Sequence, residues 1–174
     1  LGGETRKSGG KEVKGWGQTP ESLLDAMTKI SYHETGGSLD PRQEQLKGKE
    51  GQEGMGLFQY ERGIGHGANT AVNRTREYFK GRGMDAPSWL DEVNESNLYD
   101  VSSLSPSQQS MLFLGDKAQD PTAHMRDIGK EGGLEDFWAK EHWAGPANQL
   151  QDRLKSFGES MGVYKDSLLD QIMG

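Results

Sequence analysis

Leu23, Met27, Ile30 and Glu34 step along the chain by four, three and four residues, the interval that puts all four on one face of a helix. Thr19 and Pro20 supply a start, a capping hydroxyl followed by the residue tolerated at the first helical position. Gly36 and Gly37 supply a stop. The spacing predicts a helix from Pro20 to Glu34 whose core-facing stripe ends on a carboxylate. A carboxyl in that place is partly desolvated, and desolvation raises its pKa toward the range useful to a general acid. On that reading activity falls as pH rises through the Glu34 pKa, because the proton is lost. The alternative is a helix that ends a turn early and leaves Glu34 a solvated cap.

A chain of 174 residues suits one domain with a core. Hydrophobic residues make up 32% of it, mean hydropathy is -0.85, and there are 25 glycines. These values imply a polar, loop-rich surface over a modest core, with the four tryptophans and the helical stripes needing burial. A net charge of -7 argues against nonspecific nucleic-acid binding, which rests on cationic contacts with phosphate. No apolar run approaches the roughly 18 residues of a membrane span. The absence of cysteine removes disulfides and thiolate chemistry. The chain opens on Leu1 without a signal-peptide pattern, so the expectation is a fragment or processed product of something larger.

Residues 1–18, rich in Gly, Lys and Glu, read as a flexible arm or linker, with one domain over 19–174. From Gly36 to Gly56 the chain is too polar for core and suits a loop or small β-hairpin region. A helix is expected over Asn69 to Lys80, ending at Gly81, and a short one over Pro87 to Val93. Ser105-Pro106 is a second capped start, and Met111, Leu112, Phe113 and Leu114 make its helix apolar on every face, as suits the middle of a bundle. Asp120-Pro121 starts another, Leu134, Phe137, Trp138 and Glu141 form a stripe, and a C-terminal stripe runs from Leu150 to Ile172. The fold class expected is mainly α, with a small polar β insert after the first helix.

The segment His33-Glu34-Thr35-Gly36-Gly37 is followed, after the polar stretch, by Gly54-Met55-Gly56-Leu57-Phe58-Gln59-Tyr60-Glu61. This pair resembles the two core motifs of lytic transglycosylases and goose-type lysozymes: a catalytic Glu in an E-S/T-G segment, then a G-L-M-Q-like segment. Ala144-Gly145-Pro146 is similar to the end of the family's later A-Y-N-A-G-P motif, with His142 and Trp143 where Tyr and Asn would stand. Ser105 to Leu114 is similar to the family's central buried helix. The resemblance spans roughly Pro20 to Leu154. The 25 residues from Glu34 to Gln59 are several more than in a typical transglycosylase, which implies an enlarged hairpin.

The resemblance implies an α+β lysozyme-like fold, in which a helical lobe and a small β-hairpin lobe flank a cleft. It also implies cleavage of the glycosidic bond between N-acetylmuramic acid and N-acetylglucosamine, with Glu34 as general acid and no cofactor or metal. The residue types suit that chemistry, because a carboxylic acid with a raised pKa can protonate the leaving oxygen. Gln59 would hydrogen-bond substrate or orient its loop, and Gly54 and Gly56 would let backbone approach a sugar closely. Phe58, Tyr60 and Trp143 offer flat faces for pyranose rings, and His142 joins them as a substrate-contact candidate. Phe58 and Trp143 could equally be core aromatics.

A hydrolase holds a second carboxylate, about 6.5–9.5 Å away for inversion, to activate water. In a lytic transglycosylase, the resemblance implies, one Glu acts as acid and then base while the muramoyl 6-hydroxyl closes an anhydro ring. Glu61 stands two residues after Gln59, where goose-type lysozymes carry Asp, and is the second catalytic candidate. Asp40, Glu44, Glu50 and Glu53 are further carboxylates whose ordinary role is solvated loop charge. Gly63, Gly65 and Gly67 lack the strand and helix of a nucleotide-binding turn, and His33-Glu34 lacks the second His of a zinc-protease helix. The histidines have no ligand spacing.

The reading that follows is a muramidase whose partner is the peptidoglycan glycan strand, acting in the bacterial periplasm or cell wall. The expectation leans toward a phage lysin or virion module, whose other partners are virion proteins or domains of a larger chain. The alternative is a non-catalytic lysozyme-like scaffold for glycan binding or virion architecture. A chitinase- or chitosanase-like hydrolase would differ only in substrate.

Overall fold

The structure is a computed structural model and describes residues 6–8, 11–13, 20–45 and 48–120, together with Leu134, Trp138 and Lys155. The described residues form three α-helices and two short antiparallel strand pairs, a mainly α architecture. None of the helices is long and apolar enough to cross a membrane.

Strands β1 (Arg6–Ser8) and β2 (Lys11–Val13) pair antiparallel, with Arg6 opposite Val13. The reading of residues 1–18 as a flexible arm or linker does not include this strand pair. Gly9-Gly10 between the strands is the residue pair that a two-residue hairpin turn favours, a signal a composition-based reading passes over.

Helix α1 spans Pro20–Glu34, as the stripe predicts. Its end is a Schellman motif: the Gly37 N–H donates to the Tyr32 carbonyl at 2.7 Å and the Gly36 N–H to that of His33 at 3.1 Å. Gly36, the residue after the cap, has the left-handed φ of 61° that this motif needs, and Gly37 follows at φ 88°. Ala26, Met27 and Ile30 are buried. The Thr19 cap and the Leu23 side chain lie outside the described residues.

The polar stretch after α1 holds little regular structure. Among its described residues a β-bridge joins Glu44 to Met55. The hairpin forms at its end, where β3 (Gly54–Met55) pairs with β4 (Tyr60–Glu61) across the Gly56–Gln59 turn. Gly56 there has φ 78°, and a Cβ on it would fall on the Gln109 carboxamide. Gln59 is also left-handed, at φ 49°. Its side-chain NH2 donates to the Gln43 and Gly56 carbonyls at 2.9 and 2.8 Å, holding an otherwise uncommon backbone.

Helix α2 runs over Gly67–Gly81, two residues longer at its start than expected. The Asn69 carboxamide accepts the Gly65 N–H and so serves the turn ahead of the helix. The short helix expected over Pro87 to Val93 is a 3-10 helix, Ser88–Glu92, and a second 3-10 turn follows at Glu95–Asn97. Helix α3 (Pro106–Gln119) begins on a full capping box, Ser105 with Gln108, and Pro106 in its first turn. It is not apolar all round, because Met111 is 41% exposed while Leu112 and Phe113 are fully buried.

Helices α2 and α3 pack so closely that a Cβ on Gly115 would come within 2.9 Å of the Thr75 side chain. One core joins α1, the β3–β4 hairpin, α2 and α3: Ile30 of α1, Phe58 and Tyr60 of the hairpin, Val72 of α2, Leu90 and Val93, Phe113 of α3, and Leu134 and Trp138. The helix expected to start at Asp120-Pro121 and the C-terminal stripe fall outside the described residues.

Candidate active site

Glu34 closes α1 partly buried, and its Oε1 accepts a 2.6 Å hydrogen bond from the indole Nε1–H of Trp138, 104 residues along the chain. Trp138 is 1% exposed, so water does not compete for that donor. His33 packs edge-on against the same indole, with ring centroids 5.0 Å apart and planes at 84°. The carboxyl is therefore held from a distant part of the sequence and is not a free cap. Trp138 belongs to a stripe legible in the sequence, but nothing in that stripe indicates its partner.

Along α1, Ser31 and Met27 lie about one and two turns before Glu34 on its face. A cavity of about 220 Å³ opens beside them, bounded by Leu57 and Phe58 of the hairpin turn and Pro106 of α3. The turn is tied to α3 by Gln109, a buried polar residue of that helix. Its side-chain oxygen accepts the Leu57 N–H at 2.8 Å, and its NH2 donates to the Pro41 and Leu104 carbonyls. Sequence reasoning missed Gln109, whose only signal is a carboxamide two residues before Met111.

The structure corrects several sugar-contact assignments. Phe58 is 2% exposed and stacks on Phe113 with centroids 4.3 Å apart, so it is a core aromatic. Tyr60 is buried too, its hydroxyl donating to Asp116 Oδ2 at 2.7 Å. Burial, with the Asp116 carboxylate beside it, pushes that phenol well above its ordinary pKa. A Cβ on Gly56 would meet the Gln109 carboxamide and one on Gly54 would meet Gln59, so each glycine has a packing reason for its place. Gln59 takes the loop-orienting role of the two expected. His142 and Trp143, with Ala144-Gly145-Pro146, lie outside the described residues, as do Phe137 and Glu141.

Glu61 lies on β4 with its side chain 45% exposed, 3.5 Å from His66 Nδ1. Among the other carboxylates, Asp40 closes a local turn by accepting the Arg42 N–H. Glu44 and Glu50 are exposed. Glu53 is a structural clip, 2.6 Å from Arg62 Nε and accepting the Gly51 N–H. Arg62, itself 3.7 Å from Asp100, holds the Glu53 carboxyl down to about 2 through its hydrogen bond.

That lowered value fixes the sign of a stability prediction. The unfolded carboxyl, near 4.5, binds protons before the folded one, so the stabilisation is present above 4.5 and lost as pH falls toward 2. Glu53→Gln should melt below wild type at neutral pH, and the gap should close across that window. A gap unchanged in thermal scans down to about pH 2 would remove the clip.

Behind the hairpin, Asp116 joins a buried cluster. Arg74 Nη1 lies 3.0 Å from its Oδ1 and 3.2 Å from Asp120 Oδ2, and Lys117 Nζ 3.5 Å from its Oδ2. Burial opposes the Arg74 charge, but the two carboxylates outweigh it and raise its pKa. Among the described residues no group of three or more His, Asp or Glu side chains is placed to hold a metal ion. Comparison with family models, curated protein sequences and solved structures finds no match to this chain.

Proposed function

We propose that this chain is a peptidoglycan-cleaving domain of lysozyme-like fold, with Glu34 as the general acid. The observation that carries the reading is the partly buried Glu34 carboxyl, fixed at the end of α1 by an indole donor from a fully buried side chain. A carboxyl that serves only as a helix terminus needs no such clamp. The substrate class comes from the order of the motifs: Glu34-Thr35-Gly36-Gly37, then Gly56-Leu57-Phe58-Gln59, then Ala144-Gly145-Pro146. They resemble those of enzymes that cut between N-acetylmuramic acid and N-acetylglucosamine. The place of action would be the bacterial wall, and the parent chain a phage lysin or virion protein.

In the first step the Glu34 proton passes to the glycosidic oxygen as the bond to the muramoyl carbon breaks. The carboxylate left behind then removes a proton from the attacking hydroxyl. That hydroxyl is the sugar's own in a transglycosylase, and it closes the anhydro ring. In an inverting hydrolase water attacks instead, and a second carboxylate, not Glu34, takes its proton. Glu61 is exposed enough to meet water, and it is the candidate for that task. We favour the transglycosylase course, since Glu reaches farther than Asp and need not occupy the same place.

Mass spectrometry of muropeptides released from purified peptidoglycan tests the whole reading. Anhydromuramoyl ends are expected. Reducing ends would mean hydrolysis, and the absence of products would favour a non-catalytic scaffold. The role of Glu61 is tested by Glu61→Gln. It should cost little if the sugar hydroxyl attacks, and about 10²–10⁴-fold if water does. A crippled variant whose parent yields only reducing ends would overturn the transglycosylase course.

A further inference from the structure

We propose that Trp138 is the positioning residue of the Glu34 acid, an inference that rests on the reading of Glu34 as proton donor. The indole Nε1–H is a donor only, so the oxygen it meets must offer a lone pair. It meets Oε1 at 2.6 Å, the short end of the range for such a bond. A proton placed on Oε1 would make that oxygen a poor acceptor and weaken the bond. The acid form therefore carries its proton on Oε2. Trp138 thus decides which oxygen is the donor and which way the carboxyl plane faces.

The clamp has its own support. Trp138 is 1% exposed and sits in the common core, so its indole has no room to turn. The ring of His33, the residue beside the acid, meets it in a T-shaped contact that fixes the ring plane relative to α1. A misplaced proton donor loses the alignment that intramolecular transfer depends on.

The test follows the Trp138 indole N–H resonance of the nitrogen-15-labelled full chain through an acid–base titration, beside the Glu34 carboxyl carbon. Both should move with one midpoint. In Glu34→Gln the indole should keep only the part of its movement that follows His33. An indole proton that ignores the Glu34 midpoint overturns the proposal, whatever the activity. Trp138→Phe keeps an aromatic ring and removes the donor. Its kcat should fall by up to ~10²-fold with KM near wild type, because binding is untouched and alignment is lost. A folded Trp138→Phe enzyme with wild-type kcat would equally overturn it. Wild-type protein that shows the shared midpoint yet releases nothing from peptidoglycan would sink the enzymatic reading and leave the pairing standing.

Discussion

Glu34→Gln is expected to abolish turnover on peptidoglycan while leaving the fold and its melting temperature close to wild type. The two halves of the result have separate physical causes. The carboxamide oxygen can accept the Trp138 Nε1–H in place of Oε1, so the contact to the core survives. The NH2 replaces Oε2 and has no proton that it can give up near neutral pH. General-acid catalysis alone contributes about 10²-fold or more, and that is the minimum loss expected. Muropeptide release measured beside a thermal melt checks both halves. Unchanged lysis by a folded variant would remove Glu34 from the chemistry. Glu34→Ala discriminates less well, because it also deprives a buried donor of its acceptor.

How far the sequence carries toward this site depends on the range of each interaction. The limits of α1 were legible because they are local: an i, i+4, i+7 stripe and two glycines that the Schellman cap requires. Helix α3 was legible for the same reason, its Ser105 and Gln108 box lying within four residues. The amphipathic face of α3 was misjudged because four consecutive apolar residues cannot all face a core, and Met111 turns outward. Fold class beyond mainly α rested on a resemblance that periodicity alone could not supply.

The site itself was half legible. Glu34 could be named because it ends a stripe. Trp138 could not be assigned to it, since contact across 104 residues leaves no local trace. Phe58 stays an open question, and Tyr60 is assigned to sugar contact, for a similar reason. In a two-residue strand and a tight turn, alternation does not say which face is buried, and their partners Phe113 and Asp116 stand on another element. Gln59 and Gln109 show the converse: carboxamides near a candidate site, occupied in holding its loop.

The largest loss of stability should follow Asp116→Ala. Asp116 is 4% exposed and stands where β4, α2 and α3 meet, accepting the Tyr60 hydroxyl, paired with Arg74, and 3.5 Å from the Lys117 ammonium. Removing one member of a buried charged cluster leaves the others with less compensation than desolvation demands, which costs about 3–5 kcal/mol. Arg74 keeps Asp120, so the cation is not stranded, and that holds the effect within this range. Asp116→Asn keeps an acceptor for Tyr60 and gives up the charge, so its loss should be smaller. The difference between the two variants isolates what the hydrogen-bonding shape contributes. Tyr60 adjoins Glu61 on β4, so the same cluster anchors the strand that carries the second carboxylate. Urea denaturation gives the free energies, and muropeptide release below the transition shows whether the anchored strand matters to the chemistry. A loss under about 1 kcal/mol for Asp116→Ala would mean that the cations find other partners and that the cluster does not hold the elements together.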